Sequence, residues 1–312
     1  MDYRTLGRTG LRASVMGLGA GGPSRLGQSR RRDEASSVAV VRAALDAGVN
    51  FIDTAESYRT EAIVGEALRE AKRDDVILST KKSTWGDALP TAADVVASLE
   101  ASLSRLGVEA VDIYHMHGVA PDRYVYVRDE LVPVMERLRG QGKIRFLGIT
   151  EEFGSDPAHA MLDQALADDC WDVMMVGFNL LNQTARRTVF PRTRAKDIGT
   201  LIMFAVRRAL SDPARLRDTL AGLIERGKLD GGAVDLDGPL GWLVRAGGAV
   251  SIPDAAYRFC MYEPGCDVIL SGTGSLEHLQ ANIASHRRPD LPAADRRRLE
   301  AIFADVDDVS GN

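Results

Sequence analysis

Eight apolar, β-branched runs recur along the chain, each followed by a stretch with helical period. They are SVMGLGAG (14–21), NFIDTA (50–55), VILSTK (76–81), VDIYHMHG (111–118), IRFLGIT (144–150), VMMVGFN (173–179), GTLIMFAV (199–206) and DVILSGT (267–273). Near-continuous apolar runs read as parallel strands covered on both faces. Helices are predicted between and after them over 33–47, 61–72, 91–106, 129–139, 156–168, 183–196, 212–227, 275–285 and 293–305. Thr91 with Asp94 three residues on has the form of a capping pair, and Gly107 supplies a stop. Early runs start 26–36 residues apart, the length of one strand–crossover helix unit. The spacing predicts an α/β fold, a closed (β/α)8 (TIM) barrel, as one domain over 1–312. TLGRTGLR (5–12) reads as an N-terminal β-hairpin that caps one end of the barrel. The stretch 207–266 is an insertion, and 293–305 an extra C-terminal helix. The competing open sheet needs a glycine turn that opens directly into a helix. GLGAGG (17–22) instead runs into Pro23 and an arginine-rich stretch.

Composition narrows the function classes. With 45% hydrophobic and 27% charged residues in 312, the chain is globular and long enough for a large core without disulfides. A net charge of −5 lacks the footprint of a nucleic-acid binder. No apolar run reaches membrane-spanning length, and MDYRTLGRTG lacks the apolar core of a signal peptide. Three dispersed cysteines, Cys170, Cys260 and Cys266, make no disulfide framework. The cytoplasm is the expected location, with neither membrane nor nucleic acid as partner.

The chemistry of a barrel of this kind gathers at the C-terminal ends of its strands. The polar residues there are Asp53, Lys81 or Lys82, His115 or His117, Thr150-Glu151, Asn179, Arg207-Arg208 and the 271–275 run SGTGS. Alternation puts only one of the two lysines on the interior face and both histidines on a common one. Each has a plain structural explanation by itself. An aspartate in an apolar strand, a lysine, a histidine and Tyr58 in the adjoining loop together form a proton-transfer device. A lysine cation favours the phenolate, a carboxylate keeps the lysine charged, and a neutral imidazole orients a carbonyl. SGTGS opens the predicted helix at 275 and offers backbone N–H groups of small residues to an anion.

At NFIDTAESY (50–58), VGEAL (64–68), ILSTK (77–81), SLEASLSRLGVEAVDIYHMHG (98–118), LRGQGKIRFLGIT (138–150) and GTGSLEHLQAN (272–282) the chain resembles the aldo-keto reductases over nearly its whole length. The resemblance implies NADP bound at the C-terminal face, with NAD as the alternative, and a tetrad of Asp53, Tyr58, Lys81 and His117. It selects Lys81 over Lys82 and His117 over His115. It also implies cofactor contacts at Gly19, Gly21, Thr150, Glu151, Met175, Phe204, Arg207, Gly272, Thr273, Gly274, Ser275, His278 and Asn282. Departures from the family pattern are local. Thr150-Glu151 stand where Ser-Asn is usual, and Met175 where Gln is usual. No lysine or arginine occupies the strand-8 loop that usually holds the 2′-phosphate, so Arg207, Arg208 or His278 are the substitutes. Glu151 is expected to accept a hydrogen bond from the nicotinamide amide.

Trp85, Tyr124 and Tyr126 are expected to line the substrate pocket, for a small carbonyl or alcohol. Two other functions compete. A metal-dependent hydrolase would build on His115 and His117, but the other three histidines fall in predicted helices. A cofactor-binding regulatory module would retain the fold without turnover.

Overall fold

The computed structural model describes residues 1–312. Strands β1 (Tyr3–Thr5) and β2 (Arg12–Ser14) form the antiparallel hairpin, with Tyr3 opposite Ser14. The eight predicted runs form β3 (Met16–Gly19), β4 (Phe51–Asp53), β5 (Ile77–Ser83), β6 (Val111–Val119), β7 (Ile144–Glu151), β8 (Val173–Gly177), β9 (Gly199–Met203) and β10 (Val268–Ser271). They pair in parallel in that order, and β10 closes the barrel on β3. The (β/α)8 architecture and its hairpin cap stand as expected.

Helix starts follow local chemistry. Asp33 caps Glu34–Asp46 by accepting from Ser36 N–H. Thr91 and Asp94 complete the capping box of Ala92–Leu106, and Gly107 ends it in the left-handed region. The 61–72 helix ends early, at Leu68, and three others differ more from expectation. The 156–168 segment yields only Ala160–Ala165, because His159 is left-handed (φ 65°) and Asp156 takes the N–H groups of Ala160 and Met161. The 183–196 segment breaks into Ala185–Thr188 and Phe190–Ala195, with Pro191 at the junction. The 129–139 helix starts earlier, at Tyr124, and passes through a π-turn at Val127–Leu131 just before Pro133, which has no N–H to donate back.

Two cores follow from the alternation of side chains. The larger lies between strands and helices. The smaller fills the N-terminal end of the barrel interior, where Phe51, Ile77, Ile113, Val173, Leu201 and Val268 meet Leu6, Leu11 and Ala13 of the hairpin. Only glycine fits at position 7 (φ +46°), since a Cβ there would lie 2.3 Å from Gly199 N. The hairpin thus seals the bottom and leaves the other end of the barrel open. No helix is long and apolar enough to cross a membrane.

Candidate active site

The inward-facing positions that are apolar at the bottom become polar two to four residues further along the same strands. On β4, Phe51 gives way to Asp53. On β5, Ile77 gives way to Ser79 and Lys81. On β6, Ile113 gives way to His115 and His117. Register aligns Asp53 with Ser79, and Lys81 with His115.

Lys81 is fully buried and Asp53 is 2% exposed. Lys81 Nζ donates to Asp53 Oδ1 and Oδ2, each at 2.6 Å, and to Thr54 O at 2.7 Å. Ser79 Oγ donates to Asp53 Oδ1 at 2.9 Å. Burial pushes Asp53 up and Lys81 down, and their mutual attraction opposes both shifts. Three acceptors around one nitrogen suit an ammonium with all its hydrogens used. Lys82 faces the other way, donating to Glu56 Oε1 at 2.9 Å.

Tyr58 lies in the short turn Glu56–Tyr58 after β4. Its ring rests on Gly21, where a Cβ would come within 2.3 Å of it. The hydroxyl meets His117 Nε2 at 3.3 Å, and Lys81 Nζ sits 5.0 Å from the ring centroid. Lys81 therefore faces the ring and gives no hydrogen to the phenol oxygen. The phenol is held above its usual range, by burial first and Asp53 second, with Arg207 opposing. The lysine's hydrogens go to Asp53 and Thr54, so its expected lowering acts on the phenol through charge alone, and burial outweighs it. Tyr58 keeps its proton. His117 is held neutral, well below the usual histidine range, by burial, then Lys81, then His115. Trp85 packs its ring against His117 (centroids 4.5 Å apart, 66°) and is 45% exposed. His115 is fully buried one layer below, in space left by Gly148, and neither ring nitrogen has a protein partner.

Asp53, Tyr58, Trp85 and His117 line a cleft of about 670 Å³ with Gly19, Gly21, Thr150, Met175, Phe204, Arg207 and Gly272, and Lys81 and His115 lie outside its lining. Arg207 stacks on Phe204 (4.2 Å) and donates from Nε to Asn312 Oδ1 at 3.0 Å, with no carboxylate partner. Arg25, Arg208, Ser24 and Ser57 also line the cleft, and the two serine hydroxyls are buried without partners. Cationic and hydroxyl groups left open beside glycine backbone fit a phosphate-bearing dinucleotide. A larger groove, about 1400 Å³, lies outside the barrel. Two of its arginines, Arg73 and Arg145, are committed there to Asp112.

The remaining expectations divide. Glu151 contributes to the cleft, but its carboxylate turns away to His159 and Gly177 N–H, so it is not open to a nicotinamide amide. Thr273, Gly274, Ser275, His278 and Asn282 stand beside the cleft and do not line it. Thr273 Oγ1 accepts from Ser275 N–H, Ser275 caps Leu276–His286, Gly274 packs on Gly27, His278 is exposed, and Asn282 Nδ2 donates to Ser271 Oγ. Tyr124 and Tyr126 do not reach it either. Tyr124 is buried with its hydroxyl on Asp168 Oδ2 (2.5 Å), and Tyr126 donates to Pro90 O. A helix starting at Tyr124 carries both rings behind the barrel wall. Sequence reasoning missed Phe153, Ser57 and Arg25 as cleft residues. Phe153 sits two positions past β7, where strand alternation no longer indicates direction. No cluster of three His, Cys, Asp or Glu side chains is placed to hold a metal ion.

Comparison with known proteins is consistent with this geometry. The profile of the Aldo/keto reductase family matches residues 15–304. The aldo-keto reductase YhdN of Bacillus subtilis is 34% identical over 221 residues, 67% of this chain and 63% of the relative. L-galactose dehydrogenase of Arabidopsis thaliana is 34% identical over 156 residues, 48% of each chain. The chain thus spans less than two thirds of the length of these two relatives. The holo form of an aldo-keto reductase from Bacillus halodurans shares the fold with a TM-score of 0.73, at 22% identity, over 97% of this chain and 96% of that one.

Proposed function

The chain belongs to the aldo/keto reductase family, and from that premise we propose that it is an NAD(P)H-dependent oxidoreductase with Tyr58 as its general acid and base. In this reading it reduces aldehyde or ketone carbonyls to alcohols, or runs the reverse. The observation that carries this is the Tyr58 hydroxyl 3.3 Å from His117 Nε2, over a buried Asp53–Lys81 pair. A bound nicotinamide supplies the hydride. Tyr58 gives its proton to the carbonyl oxygen as charge develops there, and takes it back in the oxidation direction. His117 Nε2 orients that oxygen. Lys81 stays charged through Asp53 and lends its field to the face of the Tyr58 ring, which opposes the cost of the phenolate left behind.

Residues that would hold the cofactor are Gly19, Gly21, Thr150, Met175, Phe204, Arg207 and Gly272, with the rim at Thr273–Ser275 and Asn282 beside them. NADP is the first choice, and Arg207, Arg208 and Arg25 are the cations open to its phosphates. Trp85 gives the substrate a flat apolar wall beside His117. A sugar, which the Arabidopsis relative's name implies for that protein, is one candidate class. The test is NADPH consumption with a panel of aldehydes, ketones and sugars, and fluorescence titration with NADPH and NADH. Tyr58→Phe is expected to lose ~10²–10⁴-fold in turnover while keeping cofactor affinity. Undiminished turnover in that variant removes Tyr58 from its role, and a marked preference for NADH overturns the choice of NADP.

A further inference from the structure

On the outer side of the β7 end, Glu151 and His159 form a pair buried to 2% and 1% exposure. Glu151 Oε1 accepts Gly177 N–H at 2.7 Å, and both carboxylate oxygens lie within 3.0 Å of His159 Nδ1. His159 Nε2 lies 2.8 Å from Thr184 Oγ1. A threonine hydroxyl has one hydrogen to give. Here it goes to Asn182 Oδ1 at 2.5 Å, with Pro157 O as a second acceptor at 3.2 Å. The Asn182 amide is fixed in that orientation, since Nδ2 donates to Pro157 O and Val309 O while Oδ1 also accepts Thr184 N–H. Thr184 Oγ1 is therefore an acceptor toward His159, and Nε2 carries a hydrogen. Nδ1 faces a carboxylate that already takes a backbone N–H, an arrangement that suits the ionised form of the acid.

The imidazole also touches the cleft wall. The Phe153 ring lies parallel to it (centroids 5.4 Å, 11°) and meets Phe204 edge-on at 5.5 Å. Phe153 fills the space over Gly177, where a Cβ would come within 2.1 Å of the ring. Phe204 in turn carries Arg207 on its face.

We infer that Glu151 and His159 are a carboxylate–imidazolium pair whose stack on Phe153 fixes the Phe153–Phe204 wall of the cleft, so that His159 is a positioning residue for the ligand ring packed there. The positioning half rests on the cleft being the nicotinamide and carbonyl site. A cation over an aromatic face is attracted to it, and this holds Phe153 in place where no hydrogen bond can. Burial pushes the Glu151 carboxyl up, so its ionised form depends on His159 and the Gly177 N–H. Asp156 is the further charge facing the pair, and the N–H groups of Ala160 and Met161 occupy it.

The direct test is nitrogen-15 NMR of histidine-labelled full chain, without cofactor, from about pH 6 to 8. Both His159 nitrogens are expected to bear hydrogens. A neutral imidazole, in either tautomer, overturns the pair. The functional test uses Glu151→Gln and, as a milder change, Thr184→Val. Each is expected to lower kcat/KM for an aldehyde roughly ten- to a hundredfold. Each should also change the shape of the pH profile of kcat/KM. Wild-type kcat/KM and an unaltered pH profile in both variants overturn the positioning role. A wild-type protein with the doubly protonated imidazole but no turnover upholds the pair and counts against the assigned activity instead.

Discussion

The two ends of the barrel interior use the same strands, the same face and opposite chemistry. At the bottom, Phe51, Ile77 and Ile113 pack on the hairpin's Leu6 and Leu11. Two to four residues on, the same faces present Asp53, Lys81, His115 and His117, all buried but for part of His117. Apolar side chains at the bottom need only shape and volume to be stable. Charged ones at the top, Asp53 and Lys81, need named partners, because an unpaired buried charge is far more costly than an ill-fitting methyl group. The bottom therefore holds the barrel closed, and the top holds hydrogen bonds and charges in fixed directions.

Lys81→Met is the strongest way to break this contrast. It leaves Asp53 buried and unpaired, an expected loss of about 3–5 kcal/mol in stability together with turnover. Asp53→Asn combined with Lys81→Met should restore most of the stability and none of the turnover. Denaturant unfolding alongside steady-state kinetics reads both, and a double variant that recovers activity would remove the pair from the chemistry. Phe51→Ala is the counterpart at the bottom. It should lose about 3–5 kcal/mol by leaving a cavity. Its kcat/KM, measured where the protein remains folded, should stay near the wild-type value. A collapse of turnover at full foldedness would show that the two ends are mechanically coupled.

The smallest effect expected is in pH dependence. His115 and His117 are both held well below the usual histidine value of 6.5, chiefly by burial. A neutral base with a lowered pKa stays neutral as pH falls through 6.5, so kcat should be level there. In stability, the sign is the depressed-base one. The unfolded chain takes up protons below 6.5 and the folded one does not, so stability falls as pH drops below that value. A kinetic limb near 6.5 that disappears in His117→Gln would show the imidazole to be charged in the working enzyme.

Much of this was legible from the chain. Eight runs with intervening helical period dictate the barrel, and period-two alternation puts only one of Lys81 and Lys82 inside, the choice of Lys81 coming from the family resemblance. The same alternation already indicated that Glu151 must point away if Thr150 points in. The expectation of a carboxamide contact overlooked this, and His159 is the partner it meets instead. The aromatic residues were harder. Tyr124 and Tyr126 follow β6 closely in sequence, yet they enter a helix whose direction no local pattern specifies. Phe153 lies in a loop and gains its place only from Gly177, His159 and Phe204, residues on three other segments.

By itself, the sequence determined the barrel, its sealed end and the short set of polar residues from which the groups at its open end are drawn. Periodicity and apolar burial act locally along each strand, and a pattern of residues suffices to state them. Only the tertiary structure decided which hydrogens are spent and which are open. Lys81 gives all of its own to Asp53 and Thr54, Tyr58 keeps its proton beside His117, and Glu151 turns to an imidazole outside the barrel. Hydrogen bonds depend on distance and direction between atoms far apart in the chain, and those are set only when the strands close.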